Sequence, residues 1–164
     1  YRINDPRWDV YTGLKIEGDS AVIYRKGTKT PNIYAMGDNA SWQAEYDDKY
    51  IYFSLHNIRD KHAVMDIEPC RHWISACVFL DPPDRTAYSN CNYAQIPEKK
   101  VEYHGNDILL TVPLHIFDGF RKEGFPMRIN IWGKDFHWID PKPWPWRLQH
   151  NGYNPAGMGW LIMM

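Results

Sequence analysis

Three places in the sequence gather side chains capable of acid–base work: Asp47 with Asp48, Asp81 with Asp84, and Asp135 with His137 and Asp140. Glycoside hydrolysis uses paired carboxylates, one as acid and the other as nucleophile or base, at a defined separation across a cleft. Closeness in sequence does not set that separation. Asp is also a common turn residue, because its side chain bonds its own backbone. No Gly-x-Ser-x-Gly, His-Glu-x-x-His or phosphate-loop motif accompanies these groups. The expectation is turn chemistry rather than catalysis, and a protein that is not an enzyme.

The second chemistry is that of flat apolar rings. Trp138, Trp144 and Trp146 lie on a stretch stiffened by Pro141, Pro143 and Pro145. Proline fixes the backbone and cannot donate to a ladder, so this stretch is expected to be a loop. A stiff loop loses little entropy on binding. Its three indoles are the expected recognition surface.

Strands must hold that loop at both ends. Upstream, Met127 to Trp132 alternates, with Ile129 and Ile131 on one side and Arg128, Asn130 and Trp132 on the other. That is the period of a half-buried strand, whose polar side is either a binding platform or a solvated face. Downstream, Gly-Met-Gly-Trp-Leu-Ile-Met-Met reads as a closing strand in which Trp160 packs. Further strands are expected over 8–16, 21–26, 41–47, 50–58, 73–80, around Tyr93, and over 108–112. Trp42 is expected in the core. Asp48-Lys49 connects a clear hairpin, in which Ile51, Phe53 and Leu55 alternate with Tyr52, Ser54 and His56. Residues 59–71 read as a charged loop. Leu114, Phe117 and Phe120 recur at helical spacing, which predicts one short helical turn. Many short strands with almost no helix predict an all-β, antiparallel sandwich of immunoglobulin-like or jelly-roll-like type, as a single domain over 1–164.

Composition removes other classes. The chain has 164 residues and a formal net charge of −1, with its basic residues scattered. No electrostatic patch for nucleic acid is expected. No apolar run approaches the roughly twenty residues that span a bilayer, so no membrane partner is expected either. Eight Trp and eleven Tyr are more rings than a core of this size needs, which places some at the surface. Cys70, Cys77 and Cys91 permit either one bridge with a free thiol or three free thiols. With no Cys-x-x-Cys pair they are poor zinc ligands.

The order of these segments resembles family 9 carbohydrate-binding modules and the wider DOMON-like β-sandwiches. The resemblance rests on the hairpin ending at Asp60, and on Trp73 before a strand ending at Asp81. It continues through Ile108 to Phe120, the Asn-centred strand Met127 to Trp132, the Trp-Pro loop, and the Pro-x-Gly-x-Gly-aromatic closing strand over 155–162. It covers residue 41 to the end. It implies a non-catalytic module that binds a polysaccharide or oligosaccharide by clamping a sugar between aromatic rings. Pyranose C–H faces stack on indoles while their hydroxyls take directional hydrogen bonds. Trp73 matches one clamp position and Trp144 or Trp146 the other. Trp138 is expected beside them, with Arg128, Asn130 and Gln149 orienting hydroxyls. The stretch Ile74-Ser75-Ala76-Cys77 stands where the family carries an acidic residue, and so does Leu109.

Some modules of the kind this chain resembles carry a structural calcium; by residue type Asp60, Asp66, Asp81 or Asp84 could offer loop oxygens here, although no regular calcium-loop spacing is present. The resemblance also implies a catalytic domain of a parent glycan-degrading enzyme as partner. Secretion from a bacterium is expected, with any targeting segment outside this chain, since Tyr1 suggests a processed piece. Two alternatives accompany it. One is a structural accessory β-sandwich without ligand. The other is a haem-binding DOMON-like domain, using Met and His as axial ligands.

Overall fold

The computed structural model describes residues 19–59, 63–68, 76–80, 100–117, 127–133, 135–139 and 159–164. Among the described residues, eleven strands form one mixed sheet. They are β1 (Ser20–Arg25), β2 (Tyr34–Gly37), β3 (Ala40–Tyr46), β4 (Tyr50–His56), β5 (Ala63–Glu68) and β6 (Ala76–Leu80), then β7 (Lys100–His104), β8 (Asp107–Pro113), β9 (Met127–Trp132), β10 (His137–Trp138) and β11 (Gly159–Met163). A 3₁₀ turn over Leu114–Phe117 is the helical element among the described residues. The strand order is β6-β5-β9-β11-β1-β3-β4-β8-β7, with β10 also on β9 and β2 also on β3. No helix among the described residues is long and apolar enough to cross a membrane.

The β3–β4 hairpin forms where alternation predicts it. Trp42, Ala44, Ile51, Phe53 and Leu55 are buried, and the residues between them are half-buried. Asp47 closes the turn: its Oδ1 accepts from the Lys49 and Tyr50 amides at 2.8 Å each, and its Oδ2 from the Tyr52 hydroxyl at 2.6 Å. These donors hold the Asp47 carboxyl below its ordinary range, and the same carboxylate pushes the Tyr52 phenol up to about 12. Asp48 pairs with Arg25 at 2.7 Å. Across the next ladder, Ile108, Leu110 and Val112 complete the core face, and Pro113 ends β8. Ile129 and Ile131 are buried as expected. The expected edge strand at 8–16 and the strand around Tyr93 lie outside the described residues.

Three expectations are corrected. Residues 63–68 are a strand rather than part of a charged loop, pairing β6 on one side and β9 on the other. Ala63, Met65 and Ile67 are its buried positions, so a real alternation is hidden beneath flanking charges. Trp138 lies on a two-residue strand, not in a loop. Finally, the sheet is mixed rather than purely antiparallel, because β1 runs parallel to both its neighbours. No hairpin dictates direction there, since those partners are far away in sequence or reached through β2.

The path of β1 is the pivot of the sheet. Ser20 to Ile23 pair with β11, whereas Tyr24 and Arg25 pair with β3. At the changeover the Tyr34 hydroxyl takes the place of a strand. It accepts from the Val22 amide at 2.7 Å and donates to the Val22 carbonyl at 3.2 Å. Asn32 Nδ2 reaches the same carbonyl at 3.2 Å. Tyr34→Phe should therefore orphan the Val22 amide while the carbonyl keeps Asn32. We expect a loss of about 1–2 kcal/mol, in the lower part of the range for an unsatisfied polar group because Val22 is half-buried. Urea denaturation checks it, and an unchanged midpoint would show that water replaces the hydroxyl.

Candidate functional site

The candidate site is built on β9. Its pattern is buried at every position, unlike the half-buried strand its sequence predicts. The cause is its neighbours. β5 pairs from Arg128 to Trp132 on one edge, while β11 and then β10 pair along the other. Met127, Ile129 and Ile131 enter the apolar core. Arg128, Asn130 and Trp132 occupy the opposite face, at 8%, 0% and 5% exposure. Trp132 is thus neither an exposed platform nor part of a solvated face.

Both polar side chains on that face are engaged. The Arg128 guanidinium lies over the Trp160 indole, 3.6 Å from the ring centre. The two residues stand directly opposite in the β9–β11 register. A planar cation held on an aromatic face keeps a fixed orientation for its donors. Asn130 Oδ1 accepts from the Ile139 amide at 2.7 Å, which ties the exit of β10 to β9.

Register sets two acidic positions beside β9, Glu68 and also Asp66, which lies on strand β5 rather than in the loop expected for a calcium ligand. Glu68 is the β5 partner of Arg128, and Asp66 that of Asn130, with Cys77 of β6 beyond Asp66. Ser20 stands on the far side of Trp160. One row across four strands is therefore Glu68, Arg128, Trp160 and Ser20. The signal available in the sequence was the alternation of Ala63-Val64-Met65-Asp66-Ile67-Glu68.

The other expected site residues divide. Trp138 pairs with Ile131 and is buried on the core side of the sheet, opposite to Arg128 and Asn130. Its indole meets that of Trp42 edge-on, with ring centres 5.1 Å apart, and Tyr34 at 5.8 Å. His137, one residue earlier, is exposed. Trp73, Trp144, Trp146 and Gln149 lie outside the described residues. Asp60, Asp81 and Asp84 also lie outside. Among the described residues no three His, Cys, Asp or Glu side chains converge to hold a metal ion. Met127 is fully buried in the core.

A second polar cluster crosses β3, β4 and β8. His56 Nδ1 lies 3.3 Å from Asp107 Oδ2, and its Nε2 lies 3.3 Å from Gln43 Oε1. The Asn57 amide donates to Asp107 Oδ1 at 3.1 Å and, with His56, holds that carboxyl below its ordinary range. These contacts fasten the end of β4, where Asn57 takes a positive φ of 60°. This cluster anchors a turn. No protein-family model matches the chain, and no curated protein is found to be similar to it.

Proposed function

We propose that this domain is a non-catalytic carbohydrate-binding module whose polar floor is the Arg128–Asn130–Trp132 face of β9. The reading is carried by one observation, the Arg128 guanidinium fixed on the Trp160 indole beside Asn130. Sugars are recognised by combining ring faces with directional donors and acceptors. This face concentrates both on one central strand. In this reading Trp73, Trp144 and Trp146 supply the stacking surfaces and Gln149 a further polar group. Trp138 serves packing instead.

We further propose that the mixed sheet doubles back at β1 into a two-layered, jelly-roll-like sandwich. The pairing of β1 with β11 through one half and β3 through the other supports it, since strands that change sheets make such corners. So does the ring contact of Trp42 on β3 with Trp138 on β10, which are several strands apart along the sheet. The ligand is a polysaccharide or oligosaccharide. The partner in this reading is the catalytic domain of a secreted glycan-degrading enzyme, and a structural calcium belongs to the loops carrying Asp60, Asp81 and Asp84.

A second reading is an accessory domain without ligand. It is favoured by the burial of Trp42, Trp132, Trp138 and Trp160, which places these four indoles in packing. Titration of Trp73→Ala, Trp144→Ala and Trp146→Ala with the best soluble glycan separates the two. The first reading expects at least one replacement to weaken binding by about tenfold or more. A stacked ring is worth roughly 1 kcal/mol beyond the area it buries, and 1.4 kcal/mol is about a factor of ten. Three folded variants that bind like the parent would move the accessory reading to first place.

A further inference from the structure

We infer that Asn39 is an acceptor site for an N-linked glycan, and that the glycan is attached before the β2–β3 hairpin closes. Asn39-Ala40-Ser41 is the one Asn-x-Ser/Thr triplet in the 164 residues, and its middle residue is not proline. Such triplets arise by chance, and the placement of this one in the fold distinguishes it. Asp38 and Asn39 are the two residues between β2 and β3, with Gly37 and Ala40 paired across them. Both have positive φ, 49° and 60°, as the tight turn of a two-residue hairpin requires. Asn takes that conformation more readily than most residues. Gly37, Asp38 and Asn39 are all exposed.

The turn is held through the backbone of Asn39 and not through its side chain. The Asn39 carbonyl accepts from Asn57 Nδ2 at 3.2 Å, while its side-chain amide has no partner among the described residues. A bulky, hydrated group on that amide displaces none of these contacts. Ser41 is placed differently. It lies on β3, paired with Ala35 of β2 on one side and His56 of β4 on the other. A transferase that must hold the Asn39 amide and the Ser41 hydroxyl together cannot grip the triplet until those ladders open. Attachment therefore comes first, and folding then carries the glycan to the tip of the turn. The donor is an oligosaccharide on a polyprenyl diphosphate. The Asn39 amide nitrogen bonds to its anomeric carbon, the bond from that carbon to the diphosphate oxygen breaks, and the amide gives up one proton as the lipid diphosphate leaves. The glycan keeps the β2–β3 turn in water, so a partner domain must dock elsewhere. This site is independent of whatever the domain itself binds.

The test exports the full chain, behind a secretory leader, through a pathway that carries this donor, and reads intact mass before and after peptide-N-glycosidase. The parent should gain one glycan, whose enzymatic removal leaves an aspartate at position 39. Asn39→Gly suits the turn but lacks the amide, and Ser41→Ala lacks the hydroxyl; both should emerge bare. Ser41→Thr keeps the hydroxyl and should keep the glycan. Because attachment precedes folding, these readouts hold even where a variant folds poorly. The order of events is tested in vitro with transferase and donor. A peptide of residues 34–46 should be modified at least about tenfold faster than the folded, bare chain, the ratio given by an opening cost of about 1.4 kcal/mol. An exported, folded parent without a glycan would overturn the inference, as would a glycan that survives Asn39→Gly. A folded chain modified as fast as the peptide would overturn the order of attachment.

Discussion

Replacing Trp42 by alanine is expected to lower the free energy of unfolding by about 3–5 kcal/mol, the range for truncating a buried large aromatic. Trp42 is fully buried and touches rings on three elements: Tyr34 at 5.0 Å, Trp138 at 5.1 Å and Phe53 at 6.1 Å between centres. Truncation would leave a cavity lined by Tyr34, Phe53 and Trp138. The indole also has a peculiarity. Its Nε1 is buried with no hydrogen-bond acceptor among the described residues. Removing a donor that is already unsatisfied recovers part of its desolvation cost. Trp42→Phe should therefore lose under about 1.5 kcal/mol, the ceiling for well-tolerated core swaps. Urea denaturation of both variants measures the contrast. Equal losses would mean that the indole nitrogen is satisfied after all.

The second large effect is expected at Gly159, the first residue of β11. A methyl group there would sit 2.6 Å from Cζ3 and 2.7 Å from Cη2 of Trp138, and 3.2 Å from the Asp19 carbonyl oxygen. Trp138 cannot swing aside, because Trp42 and Tyr34 pack against it. Gly159→Ala must then displace the indole or part β11 from β9, at a cost of about 2–3 kcal/mol, in the upper part of the overpacking range. A double-mutant cycle with Trp138→Leu isolates the cause. The shorter side chain leaves room for the methyl group, so the alanine should cost markedly less in that background. An undiminished cost would place the strain at the Asp19 carbonyl instead.

What the sequence reveals of this fold follows from how cleanly burial alternates. The β3–β4 hairpin is legible because its core residues recur every second position and Asp47 sits where a turn needs an acceptor. β9 is legible as a strand, but not as a central one. Its Arg128 and Asn130 suggest a wet face, whereas β5, β10 and β11 enclose both edges. β5 is hidden by the charged residues around it, and with it the partners of Arg128. The orientation of Trp138 is set by the register of a two-residue strand against Ile131, which no local pattern encodes. The switch of β1 is equally silent, since it depends on a hydroxyl twelve residues away. Candidate residues were thus recognisable by type, while their grouping depended on pairing between distant strands.

The measurement that tests the central claim most directly is affinity electrophoresis of the intact chain through gels containing soluble neutral β-glucan, xylan or galactomannan. The account predicts retardation in at least one of them, reversed by free oligosaccharide of the same type. A folded chain that migrates through all three as it does through plain gel, and that shows no binding by titration, would contradict it.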